Sequence, residues 1–204
     1  QMCIRDRYIA LAINALIGFA YVPLLLQFMG EKEYGLYQLM GSLTAYLSIM
    51  DFGMSSTIIR YYSRYRSLED EKSAENSLAI SAIIYGILTS LIIVVGIVLY
   101  FNLNSIFQNT LTLGELNSAR KIFLVQLLNV AITIPSKIFD AVIISHERFI
   151  FLKGATILQA VLMPVAVILM LMEYPYALSF VIIQMVFNAV LILSLIHISE
   201  PTRH

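Results

Sequence analysis

The chain has 204 residues, of which 59% are apolar and 13% charged, against about 45–50% apolar and about 25% charged in an average soluble domain. Thirteen basic and thirteen acidic side chains cancel, which excludes a global field able to recruit nucleic acid. There is no Trp, and Cys3 is the single cysteine, so a disulfide framework and a CxxC metal or redox site are excluded too.

Residues 1–7 (QMCIRDR) and 195–204 (LIHISEPTRH) read as translated sequencing-adapter sequence, and the native part is expected to be a piece truncated at both ends. Setting them aside removes Cys3, His197 and His204 and leaves His146 as the one histidine. No metal and no cofactor is expected.

A bilayer-crossing helix needs about 20 mostly apolar residues, and residues 8–194 offer six such runs. In chain order they are 8–29, 34–59, 78–101, 119–144, 151–172 and 176–195. The expected fold class is therefore all-α, a polytopic transmembrane helix bundle. A soluble protein with buried helices is the bland alternative, but 79–101 carries no charge and would need burial all round. Pro23, Pro135 and Pro164 fall inside spans one, four and five, where each removes a backbone hydrogen bond and permits a kink.

Arg60, Arg64, Arg66 and Lys72 follow the second span, and Arg148 and Lys153 follow the fourth. The opposite connections hold Lys32, Arg120 and Lys121. That bias predicts both chain ends in the cytoplasm. Tyr61, Tyr62, Tyr65 and Tyr100 lie near span ends, suited to headgroup depth. The stretch 64–76 reads as a solvated helical extension.

Polar residues inside spans carry the functional signal, because they are costly in lipid. Gln38, Ser42, Ser48, Asp51 and Ser55 lie roughly along one face of span two, and Gln126, Asn129, Thr133, Lys137 and Asp140 do the same in span four. Span one adds Asn14, Gly18 and Tyr21, span five Thr156 and Gln159, and span six Gln184 and Asn188. Ala82, Gly86 and Ser90 form a small-residue stripe read as helix packing. Interhelical hydrogen bonding accounts for Gln38, Ser42 and Asn129. Lys137 and Asp140, three apart, either pair on one face or line a hydrated cavity. Asp51 has no partner within its own helix, since Arg60 lies nine residues on and faces away. A bundle around a mixed-charge cavity fits a transporter, and no phosphate-binding loop accompanies it.

The stretch 30–60, GEKEYGLYQLMGSLTAYLSIMDFGMSSTIIR, resembles the polysaccharide biosynthesis and oligosaccharide flippase proteins of the multidrug/oligosaccharidyl-lipid/polysaccharide exporter superfamily. The matching pieces are Tyr34-Gly35-Leu36-Tyr37, Asp51 with Gly53, and Arg60, together with Ile106-Phe107 and Glu147-Arg148-Phe149. The resemblance implies that the six spans form one lobe of a two-lobe transporter with alternating access, the other lobe being a missing C-terminal half of the same chain. It implies export of an undecaprenyl-diphosphate-linked oligosaccharide across a bacterial inner membrane, for surface polysaccharide biosynthesis, without covalent chemistry, with H+ or Na+ as coupling cation. Lys137 would attract the diphosphate, Arg60 would act near the entrance, and Asp51 would balance charge or bind the cation. Gln126, Asn129 and Asp140 complete the candidate cavity.

A drug or toxin antiporter of the same superfamily shares lobes and cavity and is the nearest alternative, against which the 34–60 pattern argues. A membrane-embedded polysaccharide polymerase or ligase would need a large outward catalytic loop. The 102–118 connection is short and, before Arg120, holds neither His nor Arg.

Overall fold

The computed structural model describes the backbone of residues 2–51, 53–145 and 149–199, and the side chains of 18–19, 21–51, 53–140, 142–143, 154 and 158–194. Among these the chain is all-helical: α1 (Met2–Ile49), α2 (Met54–Ser67), α3 (Glu71–Phe107), α4 (Leu113–Ser145), α5 (Phe149–Glu173) and α6 (Ala177–Ser199).

α1 consists of two helical arms that meet at Gly30. Gly30 sits at φ 79°, ψ 161°, a conformation essentially confined to glycine because any Cβ would clash there. The elbow is held from outside the helix: the Glu33 carboxylate accepts the backbone N–H of Ala177 at 2.9 Å, supplying a partner for one of the free donors at the start of α6. Close by, the ring of Phe180 meets Tyr37 edge-on, centroids 4.6 Å apart.

The second arm of α1 buries Leu36, Met40, Thr44 and Leu47, a three- and four-residue spacing that defines one helix face. It stops at residues 50–53. Its last amides, Met50 and Asp51, reach back only three residues, to Leu47 and Ser48, and Gly53 then takes a left-handed conformation at φ 73°, ψ 19°, open to glycine without strain. α2 restarts at Met54 and ends in a tight turn through Glu69, φ 57°. Asp70 caps α3 by accepting the Ser73 amide at 3.1 Å. Thr112 and Glu115 form a reciprocal capping box at α4, with Thr112 N–H donating to Glu115 at 2.9 Å.

α4 is the hub and packs against each of the other five helices, whereas α3 packs against α2 and α4. Gly96 of α3 marks the closest approach, since a Cβ there would lie 3.1 Å from Leu127 Cγ on α4 and nearer still to its methyls. Tyr85, Ile92, Leu103, Ile122 and Phe123 are fully enclosed at this seam.

Among the described residues, Glu71–Phe107, Leu113–Asp140 and Ala177–Ser194 are long and apolar enough to cross a membrane, and the apolar part of α5, Leu158–Glu173, is shorter. The outward side of α3 shows Ile83, Ile87, Val94, Val98 and Phe101, an aliphatic surface where a water-facing helix would be polar. These features suggest a membrane protein. Lipid is as apolar as leucine, so burial adds little between its helices, and close packing with polar contacts must hold them together.

Several sequence expectations need correction. The runs 8–29 and 34–59 part at Gly30 as expected, but the second is not one uninterrupted span, because its helix ends at Ile49 and resumes as α2 at Met54. A glycine at each junction permits the change of direction. Gln38, Ser42 and Ser48 are exposed, the first two bonding locally to Tyr34 and to the Leu39 carbonyl, so they do not cross-link the bundle. Ala82, Gly86 and Ser90 face outward with nothing near Gly86; Gly96 makes the close approach instead, being on the face that meets α4. Tyr62 is buried among its neighbours. The stretch 64–76 is exposed for the most part and helical on both sides of the turn at 68–70. Pro23, Pro135 and Pro164 lie inside α1, α4 and α5 as expected. Cys3, Asn14, His146, Glu147, Arg148, Lys153, Thr156, His197 and His204 lie outside the residues whose side chains are described.

Candidate functional site

The break at 50–53 determines where Asp51 goes. A continuous helix would carry this side chain round with its turn; the interruption leaves it against α4, buried. There Lys137 Nζ donates to Asp51 Oδ2 at 2.8 Å, with 30% of the lysine side chain and 11% of the aspartate side chain exposed. It is the one ion pair among the described residues. The same carboxylate oxygen accepts from Ser55 Oγ at 3.2 Å, and Ser55 Oγ lies 3.1 Å from the Tyr85 hydroxyl. A polar chain thus runs from α4 through the helix break and α2 to α3.

Two valences of this cluster remain open. Asp51 Oδ1 is buried with no hydrogen-bond partner among the described residues. An ammonium has three N–H donors, and only one of those on Lys137 is used among the described residues. A carboxylate oxygen with no donor can accept a cation, a proton or water. Unused ammonium donors can take an oxyanion.

Asp140 does not pair with Lys137, because the ammonium reaches across to Asp51. It lies half-buried one turn away, within electrostatic reach of Lys137 and Tyr85. Arg60 is exposed on α2 and joins no ion pair among the described residues.

A second polar cluster ties α4, α5 and α6. Asn188 Nδ2 donates to Asn129 Oδ1 at 3.1 Å, and Gln159 Nε2 donates to Asn188 Oδ1 at 3.1 Å. Gln126, buried, accepts from Thr44 Oγ1 at 3.4 Å and joins α4 to the second arm of α1. The structure therefore brings together Asp51 with Lys137, and Asn129 with Asn188 and Gln159. Gln126 stands apart as a packing contact.

Sequence reasoning passed over Thr44 and Tyr85. Tyr85 is the only aromatic in the apolar run 78–99, a hydroxyl that a buried span must satisfy, and that was its available signal. Among the described residues no group of three or more His, Cys, Asp or Glu side chains comes together.

Taken together, the fold and the site define an all-helical bundle suited to lipid, with a charged pair set at an interrupted helix. No family model, curated protein or solved structure matches the chain.

Proposed function

We propose that the chain is the first lobe, of six membrane-crossing segments, of a transporter that flips an undecaprenyl-diphosphate-linked oligosaccharide across the bacterial inner membrane, with both of its ends cytoplasmic. The observation that carries this reading is the Lys137–Asp51 pair at the break after α1. An ionised residue in a membrane-depth helix costs about 2.5–3.5 kcal/mol or more, and interrupted helices at that depth are tolerated where they line a cavity or lie buried in protein. Such breaks mark substrate and ion sites in two-lobe transporters.

The exposed Gln38 and Ser42 add support. They share the outer face of the second arm with the apolar Ala45 and Ile49, and an exposed amide and hydroxyl on that strip are better matched to a hydrated passage than to acyl chains. The second lobe would face that strip, and the resemblance of residues 30–60 to oligosaccharide flippases gives it a source in a C-terminal half of the same polypeptide. In this mechanism Lys137 offers its free N–H donors to the diphosphate while the lipid tail stays in the bilayer. Asp51 holds the ammonium in place until substrate arrives, and H+ or Na+ at Oδ1 would release it.

The unpartnered Asp51 Oδ1 also favours a cation-coupled drug or toxin antiporter. Export separates the two readings. In cells dependent on this transporter for surface polysaccharide, Lys137→Ala and Asp51→Ala are each expected to abolish the surface polymer, with lipid-linked repeat accumulating inside. Full export by both variants would overturn the cavity assignment, and drug extrusion with unaltered polysaccharide would favour the antiporter.

A further inference from the structure

At the hairpin that joins α3 to α4 the surface opens into a hollow of about 440 Å³, lined by Asn104, Gln108, Leu113, Leu116, Asn117 and Arg120. Arg120 is the only charged residue of the six. Its guanidinium carbon lies 5.8 Å from the centre of the Tyr100 ring, within cation–π reach. Its Nε is enclosed and has no hydrogen-bond partner among the described residues. A guanidinium keeps its charge at every physiological pH, and a buried donor left unpaired costs about 1–3 kcal/mol. The Glu115 carboxylate is engaged with the Thr112 amide and hydroxyl, and Arg120 joins no ion pair among the described residues.

We propose that this hollow binds an anionic phosphate group. Arg120 would supply the charge and a planar set of donors suited to phosphate oxygens. The side-chain amides of Asn104, Gln108 and Asn117 would donate to the remaining oxygens or accept from hydroxyls on the esterifying group. Leu116, buried, gives an apolar floor and the exposed Leu113 an apolar rim, and the first turn of α4 adds the positive end of a helix. A lipid headgroup is the favoured source. Arg120 stands seventeen residues before Lys137 on α4, about 25 Å along the axis, and a hydrocarbon core is about 30 Å thick. The exposed Phe101 beside Tyr100 is placed as an interfacial aromatic would be. The site is separate from the Lys137–Asp51 cluster and does not depend on the transport reading.

The test uses the intact chain in nanodiscs of phosphatidylcholine with and without phosphatidylglycerol. Native mass spectrometry reads retained lipid, and thermal shift in lipid-free detergent reads the response to inorganic phosphate. Wild type should retain phosphatidylglycerol in preference to phosphatidylcholine, and Arg120→Gln should weaken retention roughly tenfold or more, as expected for losing a charge-assisted bond. Retention without a phosphate response identifies a lipid headgroup, and a phosphate response without selective lipid retention identifies a soluble phosphate. Equal behaviour of wild type and Arg120→Gln in both assays overturns the site. Should that variant not fold, Asn117→Leu decides: it fills the hollow and leaves the guanidinium in place, and unchanged retention and phosphate response would equally overturn the proposal.

Discussion

Lys137 and Asp51, 86 residues apart in the chain, meet at 2.8 Å across the gap where α1 ends and α2 begins. Removing one partner strands the other charge in a poorly solvated place, whereas removing both does not. Lys137→Met is therefore expected to destabilise the bundle by about 3 kcal/mol, the low end for a broken buried pair, because the lysine side chain keeps 30% of its exposure. The double variant Asp51→Asn/Lys137→Met should recover at least half of that loss. Thermal unfolding in detergent measures both, and an additive double variant would remove the coupling argued here.

Gly30→Ala and Gly53→Ala test the two junctions. The first forces a Cβ into a conformation essentially reserved for glycine, at a cost of roughly 1–3 kcal/mol. The second demands a left-handed alanine, which costs about 1–2 kcal/mol. Neither position lacks room beyond its own local backbone, since at Gly53 the nearest other atom to the added carbon is Ser56 Oγ at 3.9 Å and at Gly30 none lies within 4 Å, so the loss would come from the local backbone alone. Control substitutions at the exposed helical Gly35 and Gly86 should be neutral or stabilising. A loss at Gly35 as large as that at Gly30 would contradict the elbow.

The Asn129–Asn188–Gln159 ladder should behave as an ordinary interhelical contact. Asn188 sits in the middle and bonds both neighbours, so Asn188→Leu removes two bonds, at about 0.6 kcal/mol each by the average for such contacts. A double-mutant cycle between positions 129 and 188 should show a coupling of that order. A coupling near zero would mean that the ladder is not formed in lipid.

Hydrogen bonds from the Ser73 side chain and backbone hold the Asp70 carboxyl below its ordinary range. The folded protein thus binds this proton less readily than the unfolded chain does, and the contribution of the cap is present above the unfolded value near 3.9. It is lost as pH falls through the lower folded value. Amide exchange at the first turn of α3 should accelerate, relative to neighbouring helices, as the pH is lowered through that window. Asp70→Asn should keep the cap while flattening this dependence, and an unchanged acid response in the variant would assign it to another group.

The character of the helices was legible in the residues, because apolar runs are long and few polar side chains interrupt them. Their continuity was not. Gly30 falls in the expected connection between the first two runs, but Gly53 lies inside the 34–59 run, and nothing local says that a helix restarts there. The phase of polar residues in span four placed Asn129, Lys137 and Asp140 on one side, and two of them found partners on other helices. The partner of Lys137 could not be read, since Asp140 was three residues away and Asp51 had no sequence relation to it. The same limit applies to Gln38 and Ser42, where helical phase groups residues on a face without saying which face turns inward.

Glu33 and Ala177 stand 144 residues apart and share a hydrogen bond, which has a consequence for biosynthesis. Chains emerge at about 5–20 residues per second, so roughly 7 to 30 s separate the synthesis of the α1 elbow from that of the helix whose first amide it receives. Over that interval the Glu33 carboxylate has no Ala177 to bind and Tyr37 has no Phe180 ring to meet. The beginning of the bundle is consequently fastened late, by one of its last-made pieces, and a nascent chain stalled before residue 177 would hold α1 with its bend unsupported.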